Sequence, residues 1–178
     1  MKSKIMKNLI PILLIAFVAF TACQPKNAQV TVNTGTYSDD LSLAVKDSVT
    51  KDIMELTTNW VNANINMDAG KAIELWDNSP DLMFAENGVF FLNRDSIYSY
   101  ITGFYQSTTS MNAEWKQRVV VPLSLNAASM SGYFYFKATF KSGEIFEGTV
   151  MFTGVFVRKN NKWALIHGHE SLKQNHLK

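Results

Sequence analysis

Residues 144–172, EIFEGTVMFTGVFVRKNNKWALIHGHESL, read as two long antiparallel strands joined by a polar turn at Asn160-Asn161-Lys162. Successive side chains of a strand point to opposite faces. Plain alternation therefore puts Trp163, Leu165, His167 and His169 in one row and Ala164, Ile166, Gly168 and Glu170 in the other. On that count two imidazoles share a face with the apolar anchors Trp163 and Leu165, and this face is expected to look inward. Gly148 and Gly154 lie on one row of the penultimate strand and Gly168 in the last. Such glycines are where a sheet can curve or bulge.

Two more long strands precede this ribbon, Asn112 to Ser124 and Ser129 to Phe140, with Lys141-Ser142-Gly143 as the turn into Glu144 to Lys159. Upstream the period changes. Val49, Ile53, Leu56, Trp60, Ala63 and Met67 recur every three or four residues and form one stripe of a helix, for which Asp47 is the expected N-cap. A second, short helix is expected from Asp68 or Ala69 to Trp76, stopped by Ser79-Pro80-Asp81. Asn87-Gly88, between Leu82–Glu86 and Val89–Leu92, is the pair best suited to a two-residue hairpin. A third helix carries Ile97, Tyr100, Ile101 and Phe104 on its inner face, with Asp95 expected to cap it and Arg94 to be solvated. Helices ahead of a run of antiparallel strands argue an α+β fold, in which the helices close one face of a strongly bent sheet.

The 178 residues, 47% of them apolar and 12% aromatic, are enough for one core of ordinary size. The first 22 residues stand apart. Lys2, Lys4 and Lys7 precede an apolar run from Leu9 to Phe20, the pattern of an export signal and too short for an ordinary spanning helix. The ending Phe20-Thr21-Ala22-Cys23 resembles the lipobox of bacterial lipoproteins, which implies cleavage before Cys23 and a diacylglycerol on its sulfur. Cys23 is the only cysteine, so neither an intramolecular disulfide nor a thiolate cluster can form. The expected organisation is a signal peptide over 1–22, a lipidated cysteine and polar tether over 23–44, and a folded domain over 45–174. The expected address is the cell envelope, on the outer membrane facing the periplasm. Loss of residues 1–22 removes three lysines and no acid, which turns 17 basic against 15 acidic side chains into 14 against 15. With no basic block left, nucleic-acid binding has no electrostatic motive.

The order of elements, Trp60 late in the first helix, the hairpin before Arg94-Asp95-Ser96-Ile97, and the ending GVFVRKNNKWALIHGHES together resemble the SnoaL-like branch of the nuclear transport factor 2-like superfamily. In that branch the last two strands often carry an aromatic and a basic residue, a polar turn, and then a Trp-hydrophobic-His-His-Ser series. Phe156, Arg158, Trp163, Ile166, His167, His169 and Ser171 stand at those places, and the likeness spans about residues 47–172. It implies a cone-shaped curved antiparallel sheet covered by three N-terminal helices. It leaves activity open, because the scaffold carries isomerases, cyclases, dehydratases and dimerisation modules.

A bent sheet under helices leaves a concave pocket, the ordinary place for a ligand. The candidate catalytic residues are His167 and His169 as proton carriers, with Tyr135 as electrophilic partner. Against this, each histidine can equally be a structural group held by a backbone atom or closing the rim. Trp60, Tyr133, Glu147 and Trp163 are the candidate ligand-binding residues. Tyr133 and Tyr135 alternate with Phe134 and Phe136, and either row can be the inner one. If the phenylalanines face in, the tyrosines belong to an outer surface suited to a homodimer. The ketosteroid isomerases of the superfamily use an acidic base, and no position here matches their catalytic acids. No spacing is diagnostic of a metal; Glu86, Glu147 and Asp68 are third-ligand candidates by elimination only. No metal or cofactor is expected. The expected function is a membrane-anchored domain that binds a small apolar or aromatic molecule. The alternatives are an isomerase, cyclase or dehydratase with a pocket histidine as base, and a dimeric partner-binding module.

Overall fold

The computed structural model describes residues 41–174. The expected export signal, the lipid site at Cys23 and the tether up to residue 40 lie outside the described residues. The first helix, α1, spans Leu43–Ile65 and starts four residues before the expected cap Asp47. Ser42, in extended conformation, is the N-cap, and its hydroxyl accepts from the Val45 N–H. A serine oxygen here satisfies one of the donors that a helix start leaves unpaired. The apolar stripe of α1 buries Val49, Ile53, Trp60 and Val61. After a left-handed Met67, Asp68 caps α2 (Ala69–Ala72) by accepting from the Lys71 N–H at 3.1 Å, and a 3-10 turn over Ile73–Leu75 continues it.

Strands β1 (Met83–Glu86) and β2 (Val89–Phe91) form the expected hairpin, with φ of 48° at Asn87 and 85° at Gly88. Positive φ at both central residues is the geometry that an Asn-Gly pair supplies at low cost. Helix α3 spans Arg94–Ser107. Its cap is Asn93, whose Oδ1 accepts from the Ser96 N–H at 2.8 Å, while the expected cap Asp95 sits in the first turn. Arg94, expected in solvent, donates to the Ile73 carbonyl from Nε at 3.3 Å and Nη2 at 3.2 Å, tying α3 to the 3-10 turn.

Four long strands follow, β3 (Thr108–Ser124), β4 (Ala127–Phe140), β5 (Ile145–Lys159) and β6 (Lys162–Gln174). With β1 and β2 they make one six-stranded sheet in the order β2-β1-β6-β5-β4-β3. All neighbours are antiparallel except β1 and β6, which run parallel with Phe84 opposite Gly168 and Glu86 opposite Glu170. α1 lies mainly across β3 and meets β6 more lightly. Trp60 anchors that packing, its ring centroid 5.8 Å from Phe134, 6.1 Å from Phe152 and 6.4 Å from Trp115. Phe134, Ala138, Val150, Phe152 and Phe156 are buried on the same side, so the phenylalanine row of β4 is the inner one.

The ladder between β5 and β6 has one irregularity. Phe156 pairs with Leu165, but Val155 pairs with His167, so Ile166 is an extra residue in the ladder. A β-bulge of this kind shifts the alternation by one. Leu165 stays inside, fully buried, and from there on Gly168, Glu170 and Leu172 take the inner side. Two facing glycines make the turn-in possible. Gly154 lies opposite Gly168. A Cβ on Gly154 would stand 2.5 Å from Leu165 Cδ1, and one on Gly168 would stand 2.9 Å from Leu165 Cδ2.

Candidate functional site

Between α1, α3 and the concave face of the sheet lies a cavity of about 270 Å³. Its walls are aromatic and aliphatic, including Trp60, Phe104, Phe134, Phe136, Phe140 and Val150. α1 contributes Trp60 because its inner stripe continues to the last turn. α3 contributes Ile97, Ile101 and Phe104 from positions three and four apart. The polar side chains at the cavity are few: Glu170 on β6, Glu86 on β1, Asn87 in the hairpin turn, Asn64 on α1, Tyr100 and Tyr105 on α3, and Trp76, whose buried Nε1 has no partner among the described residues.

The two carboxyls dominate the electrostatics. Glu170 is 8% exposed, and its Oε1 has no hydrogen-bond partner among the described residues. Its inner-row neighbours across the sheet are Phe152 on β5 and Glu86 on β1. Burial holds its carboxyl well above the ordinary range, and the charge of Glu86 adds to the shift. Burial also raises Glu86, opposed by the Tyr100 hydroxyl, which donates to Glu86 Oε1 at 3.4 Å. The Tyr100 phenol is pushed up to about 12, first by burial and then by the negative Glu86 beside it. Tyr105 is also raised by burial, and its hydroxyl donates to Asn64 Oδ1 at 2.8 Å, while Asn64 Nδ2 donates to the Trp60 carbonyl at 2.8 Å. Two carboxyls that repel each other in an apolar site are hard to ionise together and titrate as a pair. The site can thus give a proton, take one, or hold a positive charge.

The residues singled out from the sequence are distributed differently from their expected places. His167 and His169 do not face the cone. The Ile166 bulge turns both to the outer side, where both are exposed and His167 Nε2 lies 3.1 Å from the Asp81 carbonyl oxygen. Tyr133 and Tyr135 lie on the outer face, opposite in row to the buried Phe134. Glu147 is there too, its Oε2 3.2 Å from Lys137 Nζ, and the lysine holds it below the usual carboxylate range. Trp163 sits away from the cavity, donating from Nε1 to Asp52 Oδ2 at 3.1 Å under the Arg158 guanidinium, whose centre is 5.0 Å from the ring. Trp60 alone of the four candidate ligand contacts lines the cavity. Asp68, Glu86 and Glu147 do not converge. Among the described residues no three His, Cys, Asp or Glu side chains meet as a metal site requires.

Glu170, Tyr100, Tyr105 and Asn64 were not picked out as site residues from the sequence. Unbroken alternation puts Glu170 in the row opposite Leu165 and the histidines; Gly168, two residues earlier, is the local sign that the strand can bulge. Glu86 adjoins the Asn-Gly turn, but nothing local says that β1 pairs in parallel with a strand some eighty residues further on.

Residues 53–174 match the SnoaL-like domain family model. No curated protein matches the chain by sequence. Among solved structures, a nuclear transport factor 2-like superfamily protein from Salmonella enterica serovar Typhimurium is similar with a TM-score of 0.66 at 18% identity, over 74% of this chain and 95% of that one. A protein with a cystatin-like fold from Caulobacter vibrioides gives 0.60 at 18% identity, over 70% and 89%. A type 2 hexachlorocyclohexane dehydrochlorinase gives 0.67 at 9% identity, over 77% and 94%. At these identities the structural likeness speaks for the fold. The family match covers most of the described residues, all six strands among them, and the chain belongs to the SnoaL-like family.

Proposed function

We propose that the cone is the binding site of a small, largely apolar or aromatic molecule, with the carboxyl pair Glu86 and Glu170 as its polar recognition point. The observation that carries this reading is the unpartnered Oε1 of a buried Glu170 at the wall of an aromatic cavity. A buried carboxyl left without a donor is costly, and a ligand bearing a donor removes that cost. At roughly 30 Å³ for a water-sized unit, the space suits a ligand of on the order of ten non-hydrogen atoms. Native mass spectrometry of the purified protein is the test. A co-purifying small mass that Ala113→Phe abolishes, by filling the cavity from β3, supports the reading. The same mass retained by that folded variant refutes it.

A catalytic reading has its own support. Paired carboxyls with separated ionisation, beside a tyrosine hydroxyl, form an acid–base set, and a protein of similar fold is a dehydrochlorinase. In this reading Glu86, not a histidine, takes the proton from a bound carbon acid, and protonated Glu170 supports the charge that develops. Ligand C–H exchange in deuterated water that disappears in Glu86→Gln is the expected signature.

The address and assembly follow the sequence. Cys23 is taken to carry the lipid that holds the domain at the outer membrane, and intact-mass measurement on the envelope fraction tests this. The convex face exposes Val119, Val121, Met151 and Val155, an apolar row suited to a second copy; sedimentation reads the result.

A further inference from the structure

Building on the small-molecule reading, we infer that the ligand of the cone is a hydrophobic organic cation: a protonated amine whose N–H groups bridge Glu86 and Glu170 while its hydrocarbon part lies against the aromatic wall. Three observations on the cavity converge on this chemistry. First, the side chains lining it include two carboxyls and, among the described residues, no lysine, arginine or histidine, so nothing in the cone balances a carboxylate. Second, Glu170 is buried with one oxygen lacking any donor, and its inner-row neighbour across the parallel ladder is the second acid, Glu86. An ammonium brings up to three donors and the opposite charge to that point. An alcohol brings one donor and no charge; a carboxylate ligand would be a third acid. Third, Trp60, Phe134, Phe136, Tyr100 and Tyr105 surround the remaining space, and aromatic faces attract a cation that has shed its water.

The proton balance is simple. Burial and the neighbouring charge of Glu86 favour a proton on the pair, chiefly on Glu170. When the ammonium enters, that proton leaves to water and the ligand's charge takes its place, with no bond made or broken in the ligand. The titratable groups facing Glu170 are Glu86 on β1 and Tyr100 on α3, with Tyr105 further along the same cavity; α1 and β3 to β5 bring no titratable group to it. The tyrosines stay neutral through the physiological range, so the pair alone sets the pH response.

Isothermal titration with 2-phenylethylamine, 2-phenylethanol and phenylacetate, equal in shape and different in charge, tests the inference. At about pH 7 the amine is expected to bind at least roughly tenfold more tightly than the alcohol, with phenylacetate weakest. The amine's heat is expected to differ between phosphate and Tris buffers by the release of about one proton per ligand. Glu170→Gln, which keeps the side chain's shape and removes one of the two carboxylates, is expected to weaken the amine at least roughly tenfold and to abolish the proton release. A wild-type series from about pH 5.5 to 8.5 is the second measurement, since amine affinity should climb as the pair ionises and alcohol affinity should not. Equal binding of amine and alcohol, or amine binding indifferent to Glu170→Gln, overturns the cation assignment and leaves the small-molecule site standing. No binding by any of the three at millimolar concentration overturns both.

Discussion

Replacing Glu170 by glutamine should make the protein's stability less dependent on pH, and the direction follows from its surroundings. Its carboxyl is buried and lies beside Glu86, so the folded state raises its affinity for a proton. Between the ordinary carboxyl pKa and the raised one, the folded protein holds a proton that the unfolded chain has released. Stability then falls as pH rises through that window, by at most about 1.4 kcal/mol per pH unit for one group. Across a window of a unit or two the loss is on the order of a few kcal/mol, or roughly 3–5 °C in Tm per kcal/mol for a domain of this size. An amide does not titrate, so the Glu170→Gln curve should lose this slope. The variant's stability relative to wild type should therefore improve steadily with pH. Glu86→Gln removes the neighbouring charge, the second cause of the shift, and should narrow the window without closing it. Urea unfolding at half-unit pH steps gives the curves. Acids with lowered pKa, such as Glu147 and Asp77, act in the opposite sense, costing stability on acidification, and they cancel in the difference between variant and wild type. Parallel curves for wild type and Glu170→Gln between pH 5 and 8 would refute the claim that Glu170 is a buried, proton-holding carboxyl.

Gly154→Ala places a methyl 2.5 Å from Leu165 Cδ1 and 3.0 Å from the Phe152 ring; a loss of about 1–3 kcal/mol is expected in urea melts, and Leu165→Ala in the same chain should make the second cost less than additive. Asn93→Ala should cost about 1 kcal/mol of thermal stability and Asp95→Ala less, because Asn93 makes the capping bond. His169→Ala should leave ligand affinity in the cone unchanged within about twofold by calorimetry, its ring being exposed on the outer face; a tenfold loss would restore an inward histidine.

Local chemistry made much of this protein readable without coordinates. The three- and four-residue spacing around Trp60, the Asn87-Gly88 turn and the alternating strands determined the elements, and hence an α+β fold with helices over a bent sheet, because each depends on contacts between near neighbours in the chain. The caps were harder: Ser42, Asp47, Asn93 and Asp95 are all competent capping residues, and the choice went to the one whose backbone was extended at the point where the helix began. The inner surface of the cone was decided only in three dimensions. Pairing β1 in parallel with β6 brings Glu86 opposite Glu170, and no short-range preference specifies a partner so far away. A single extra residue, Ile166, accommodated because Gly154 and Gly168 leave room for Leu165, exchanged the two faces of the last strand. It moved two histidines out to water and one glutamate into the cavity, since in a strand with a side-chain period of two, a shift of one residue reverses every side chain beyond it.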